Sequence, residues 1–136
     1  MGHQSRYIPP SGGTATLSRA TRAITQTIAA GTDAQVSITL AKTYLLQRVT
    51  ITHAAWVRLY RDTASRAVDA GRLITTAPAP GSGVVAEFSF DSGGTVLCSP
   101  QAIGSADTNS IPIAIKNTDI VSRTITLTID YLAIEP

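Results

Sequence analysis

Near the end of the chain, Ile125, Leu127, Ile129 and Tyr131 alternate with Thr124, Thr126, Thr128 and Asp130, a period of two that fits a β-strand and not an α-helix. The same spacing recurs upstream. Val36, Ile38 and Leu40 alternate with Ser37 and Thr39, and strict alternation places Leu45, Gln47, Val49, Ile51 and His53 on one face, opposite Leu46, Arg48, Thr50 and Thr52. Residues 84–90 and 95–98 read as strands, as do Ile111, Ile113 and Ile115, where Pro112 points to the start of a strand or to a sheet edge. Asp91-Ser92-Gly93-Gly94 is a turn signature and predicts that 84–90 and 95–98 fold together as a hairpin. Residues 75–83, with Pro78, Pro80, Gly81 and Gly83, read as a long loop, and residues 99–110 as a second one. Seven or eight short strands between turn signals predict an all-β chain, an antiparallel, jelly-roll-like β-sandwich.

One block breaks this texture. Ala55, Val57 and Leu59 alternate with Trp56, Arg58 and Tyr60, and the chain then enters an Ala-rich stretch that Asp62 or Thr63 can N-cap and Gly71 can close as C′. This predicts one short helix. Residues 1–21 carry Pro9-Pro10 and Ser11-Gly12-Gly13 without periodicity and read as an extended N-terminal arm, leaving residues 22–136 as a single sandwich domain. With 43% hydrophobic residues, 136 residues are enough for one real core and not for two.

Only 15% of residues are charged and the net charge is +2, so nucleic acid is not expected as a partner. No run of about 18 apolar residues is present, which argues against membrane insertion. The N-terminus lacks the order of a secretory signal, so synthesis is expected in the cytoplasm. Cys98 is the single cysteine, which excludes an internal disulfide framework and a Cys-rich zinc site. It reads either as a small apolar strand residue or as an intermolecular disulfide candidate.

Catalytic chemistry finds little support. The histidines are His3, in the arm, and His53, in an apolar strand, and no Gly-x-Ser-x-Gly elbow occurs. No metal or cofactor is expected: the glycine pairs at 81–83 and 93–94 lack the Gly-Lys-Ser/Thr ending of a phosphate loop. Asp62 and Asp69 sit among arginines, where ion pairing is the simpler account of them. The densest charge lies in Arg58, Arg61, Arg66 and Arg72, interleaved with Trp56 and Tyr60. These six residues are candidates for a protein interface or for a ligand site in which Trp56 or Tyr60 stacks on a sugar. The alternative is an internally paired motif that anchors the helix to the sheet.

The run Trp56-Val57-Arg58-Leu59-Tyr60, then Thr63-Ala64-Ser65-Arg66-Ala67-Val68-Asp69-Ala70-Gly71-Arg72, a Pro-containing loop and Gly83-Val84-Val85-Ala86-Glu87, resembles small structural proteins encoded among the tail genes of tailed bacteriophages, cyanophages included. Ile113-Ala114-Ile115-Lys116-Asn117 and Ile125-Thr126-Leu127-Thr128-Ile129-Asp130-Tyr131-Leu132 fit the same pattern, so the resemblance covers roughly residues 45 to 134. It implies a non-enzymatic virion component, a small tail fibre or baseplate-attached module. Its implied partners are other virion proteins and further copies of itself, a trimer among the options. A capsid cement protein is the alternative, and a carbohydrate-binding module that takes a host surface glycan is the second.

Overall fold

The computed structural model describes residues 18–136. The expected arm therefore lies outside the described residues except for 18–21, which open the first strand. The elements are β1 (Ser18–Ile28), β2 (Asp33–Thr39), β3 (Thr43–Ile51), β4 (Ala55–Tyr60), α1 (Thr63–Asp69), β5 (Val84–Phe90), β6 (Gly94–Ser105), β7 (Ser110–Asn117) and β8 (Arg123–Glu135). Sheet A has the order β1-β8-β3-β6 and sheet B the order β2-β7-β4-β5, and every pairing is antiparallel. The first strand pairs with the last, the second with the second-last, and so inward to β4 with β5. Wrapping such a nested ribbon over on itself gives the jelly roll, with consecutive strands in opposite sheets except for the innermost pair, β4 and β5.

The core lies between the sheets. Ile125, Leu127, Ile129 and Tyr131 of β8 are buried there as their alternation predicts, facing Val57 and Leu59 of β4 and Ile111, Ile113 and Ile115 of β7 from the other sheet. Pro112 is tolerated inside β7 because it sits opposite Ser37 of β2, past the end of the β4–β7 ladder at Leu59 and Ile113.

Four expectations need correction. First, β3 does not alternate strictly: its register shifts between Leu46 and Arg48 against both neighbours, so Leu46 and Val49 are both buried while Arg48 points out. The extra residue of a bulge inverts the phase of everything after it. Second, 84–90 and 95–98 do not form a hairpin. The turn signature is real, but it carries the chain from β5 in sheet B to β6 in sheet A. A Cβ on Gly93 would lie 2.4 Å from the Thr52 carbonyl oxygen, so the glycine permits a close crossing of the β3–β4 connection.

Third, most of 99–110 is strand, since β6 continues to Ser105. Two loop-like residues misled the reading. Pro100 falls where the β6 ladder is interrupted on an edge strand, and Gly104 is small because the Tyr44 ring lies on it: a Cβ there would be 2.2 Å from Tyr44 Cζ. Fourth, His53 belongs to the β3–β4 turn and not to a strand. Its Nδ1 hydrogen-bonds the Thr52 hydroxyl at 3.0 Å.

Candidate functional site

The candidate aromatics and arginines gather on the outer face of sheet B. Because Ala55, Val57 and Leu59 face the core, Trp56, Arg58 and Tyr60 emerge on the opposite side of β4. They are nevertheless buried, at 2%, 1% and 0% exposure, because residues 61–83 fold back over them. Asp62 starts this cover as the N-cap of α1, its Oδ1 accepting from Ser65 N–H at 2.7 Å, and the Ser65 hydroxyl first and that N–H second hold the carboxyl below its ordinary range. Gly71 closes the helix at φ +87°, the left-handed conformation expected at C′.

Each member of the network answers another. The Arg58 guanidinium lies 3.8 Å from the centre of the Trp56 ring and forms an ion pair with Asp33 of β2, the small Ala114 beside it leaving room to cross β7. Arg58 Nε is buried without a hydrogen-bond partner, so the ring face and Asp33 together hold the charge. Trp56 Nε1 donates to Glu87 at 2.9 Å. Arg72 approaches the same ring at 5.1 Å and donates to both oxygens of Asp69, at 2.7 and 3.1 Å. It also reaches Glu87 at 3.4 Å and the Thr76 carbonyl at 2.7 Å.

Asp69 additionally accepts from Tyr60 Oη at 2.6 Å. Burial opposes its ionisation, yet the hydrogen bonds from Arg72 and Tyr60 and the nearby guanidinium charges win, and its carboxyl is held below the usual range. Tyr60 is pushed upward, first by burial and then by its hydrogen bond to that carboxylate. Arg66 clamps α1 from the other side, donating to the carbonyls of Val36 and Ile113 at 2.8 and 3.3 Å. Arg61 is exposed and, among the described residues, its side chain reaches its neighbour Asp62 at 3.3 Å. Thus Trp56, Arg58, Tyr60, Arg66 and Arg72 form one braced assembly, and Arg61 stands at its edge.

Four partners in this assembly escaped the sequence reading: Asp33, Glu87 and the receiving carbonyls of Val36 in β2 and Ile113 in β7. The signal for Glu87 was its place in the alternation of β5, which sets it directly opposite Arg58. Cys98 lies in the interrupted stretch of β6, half-buried against the core, where burial raises its thiol and reduces the thiolate available for reaction. Among the described residues, no three His, Cys, Asp or Glu side chains cluster so as to hold a metal ion.

The outer face of sheet A is of another kind, and its residues align in rows across the strands. Arg19, Leu132, Leu45 and Ile103 form one row; Thr21, Asp130, Arg48 and Leu97 form the next; Ala23, Thr128, Thr50 and Thr95 form a third. Beyond these, threonines bond to one another: Thr25 to Thr126 at 2.8 Å and Thr27 to Thr124 at 3.0 Å, as does Thr50 to Thr95 at 3.1 Å in the third row. Asp130 is held below its ordinary range first by the hydrogen bond from Thr21 and then by Arg48. Around this charged row opens a cleft of about 620 Å³, lined by Arg19, Thr21, Gln47, Arg48, Leu97, Gln101 and Asp130. Leu97 and Ile103 remain 71% and 67% exposed.

These features define a class: an eight-stranded jelly-roll sandwich with one outer face braced under its own cover segment and the other bare of one among the described residues. Compared with known protein families and with curated proteins, the chain matches none.

Proposed function

We propose that this protein is a non-enzymatic structural component of a tailed-phage virion, a small tail-fibre or baseplate-attached module that acts through assembly. The observation that carries the reading is the internal commitment of its functional-looking side chains. The residues with most capacity for chemistry, Arg58, Asp69, Arg72 and Glu87, bind one another and fix a cover to a sheet, which is architectural work. The resemblance of residues 45 to 134 to phage tail-gene products points the same way. Antibody raised against the purified protein and used to label intact virions by electron microscopy tests it. Label on the tail is the expected result. Label over the head lattice would replace this reading with the capsid cement alternative, and unlabelled particles would overturn both.

A second reading, a carbohydrate-binding module, is favoured by the sheet A cleft, where Arg19, Gln47, Arg48, Gln101 and Asp130 offer convergent hydrogen-bonding groups. In this fold the cleft, and not the covered Trp56 or Tyr60, is the place for a sugar. Calorimetry with host surface oligosaccharides, repeated on Gln101→Ala, decides it: binding lost in the variant supports the module, and no heat in either protein removes it.

A further inference from the structure

We infer that the outer face of sheet A is a self-complementary surface that a second copy of this chain covers, face to face, about a twofold axis running along the strands between β8 and β3. The inference does not depend on a virion role. It rests on what each row would meet. Rotation about such an axis lays β8 of one copy over β3 of the other, so every row faces itself with its order reversed. Leu132 then meets Leu45 of the second copy, Thr128 meets Thr50, and Arg48 meets Asp130. The apolar row packs on an apolar row and the threonine row on a threonine row, while the charged row pairs opposite signs.

At the margins, Ile103 meets the aliphatic stem of Arg19. The face is self-complementary only because Arg48 and Asp130 are neighbours across the central pair of strands. Two like charges in those positions would repel their copies.

Size agrees with this occupant. Four strands at about 4.8 Å and some nine residues at about 3.4 Å give a projected area of roughly 590 Å² per copy. The two copies together come to about 1,180 Å², which clears the roughly 1,000 Å² expected of a specific interface. Sheets stacked this way pack about 10 Å apart at a small angle, the geometry already used inside the sandwich. The exposed Leu97 and Ile103 are then covered, and the cleft around the charged row is closed.

Mass by light scattering and sedimentation on the full chain, across a dilution series, tests the inference. A dimer is expected. Ile103→Lys faces a cation to the partner's Arg19 and should weaken dimerisation at least tenfold, whereas Ile103→Glu faces the same arginine with an anion and should weaken it far less. Leu97→Lys, at an equally exposed position, is the second disruptive variant, and Val68→Lys, on the outside of the α1 cover, should leave the mass unchanged. Unaltered circular dichroism and Trp56 fluorescence report that each variant is folded.

A monomer at every concentration overturns the inference, as does a dimer that Val68→Lys breaks and Ile103→Lys does not. Equal weakening by Ile103→Lys and Ile103→Glu overturns the proposed register. Deletion of residues 1–17 should leave the dimer intact. If only the deleted protein dimerises, the chain's own N-terminal segment is the occupant and the inference fails, and it fails equally if an oligosaccharide occupies the cleft of a stable monomer.

Discussion

The outer faces of the two sheets are made by the same device, an alternating strand that turns every second residue away from the core, and yet they end in opposite states. On sheet B the outward residues of β4 are Trp56, Arg58 and Tyr60, large groups with strong partner requirements, and the chain supplies Asp33, Glu87, Asp69 and Arg72 from three other segments to meet them. On sheet A the outward residues are mostly threonines and aliphatics. The threonines satisfy one another across neighbouring strands, so no cover segment is required to complete them. A face that carries charge inward demands closure, while a face of paired hydroxyls can stay open. The difference follows from side-chain chemistry, since both sheets are four-stranded and antiparallel.

The comparison breaks most severely at Asp69. Asp69→Ala leaves Arg72 buried without its carboxylate and Tyr60 without its acceptor, and the expected loss is about 3 kcal/mol, read from urea unfolding. Next comes Gly83→Ala. Gly83 sits at φ +82° and a Cβ there would lie 2.1 Å from Ser65 Oγ, so about 2 kcal/mol is expected, with faster acrylamide quenching of Trp56 as the cover loosens.

The third test is acid. Asp69 titrates lower folded than unfolded, so its contribution is complete above the ordinary carboxylate range near pH 4 and is lost as pH falls through its folded value. Stability followed from pH 6 to pH 2 should therefore fall, and Asp69→Asn should flatten that fall. Asp130→Asn should flatten it less, because the sheet A carboxylate is the more exposed of the two. The smallest effect is expected on sheet A: Thr126→Val should change unfolding free energy by less than about 0.5 kcal/mol. A large loss there would mean that the hydroxyl ladder braces its sheet as the arginine network braces the other.

How much of this was legible depended on range. Alternation placed Trp56, Arg58 and Tyr60 on one face, and capping chemistry placed α1 between Asp62 and Gly71, because both signals are local. The bulge at Gln47 was not legible, since one extra residue leaves no mark on composition while reversing every side chain beyond it. The turn at 91–94 announced that the chain reverses but not which sheet it enters, and pairing of β5 with β4 and of β6 with β3 was decided by partners far along the chain. Gly104 and Pro100 carried the wrong message because one serves the packing of Tyr44 and the other occupies an edge strand. The network's meaning was hidden for the same reason. Arg58 and Asp33 are 25 residues apart, and nothing near either one names the other.

The nesting of first strand with last has a further consequence, which concerns time. β8 lies between β1 and β3, so β1 has no partner and β3 has only β6 until the final described strand has left the ribosome. Ser18 must wait for Ala133, and the loop closed by that contact spans nearly the whole domain. Such long-range pairing is slow, and it leaves β1 unpaired until β8 emerges. This domain therefore closes only once β8 has emerged, and all at once, with each nascent copy exposed to its neighbours on the same message until that strand completes the roll.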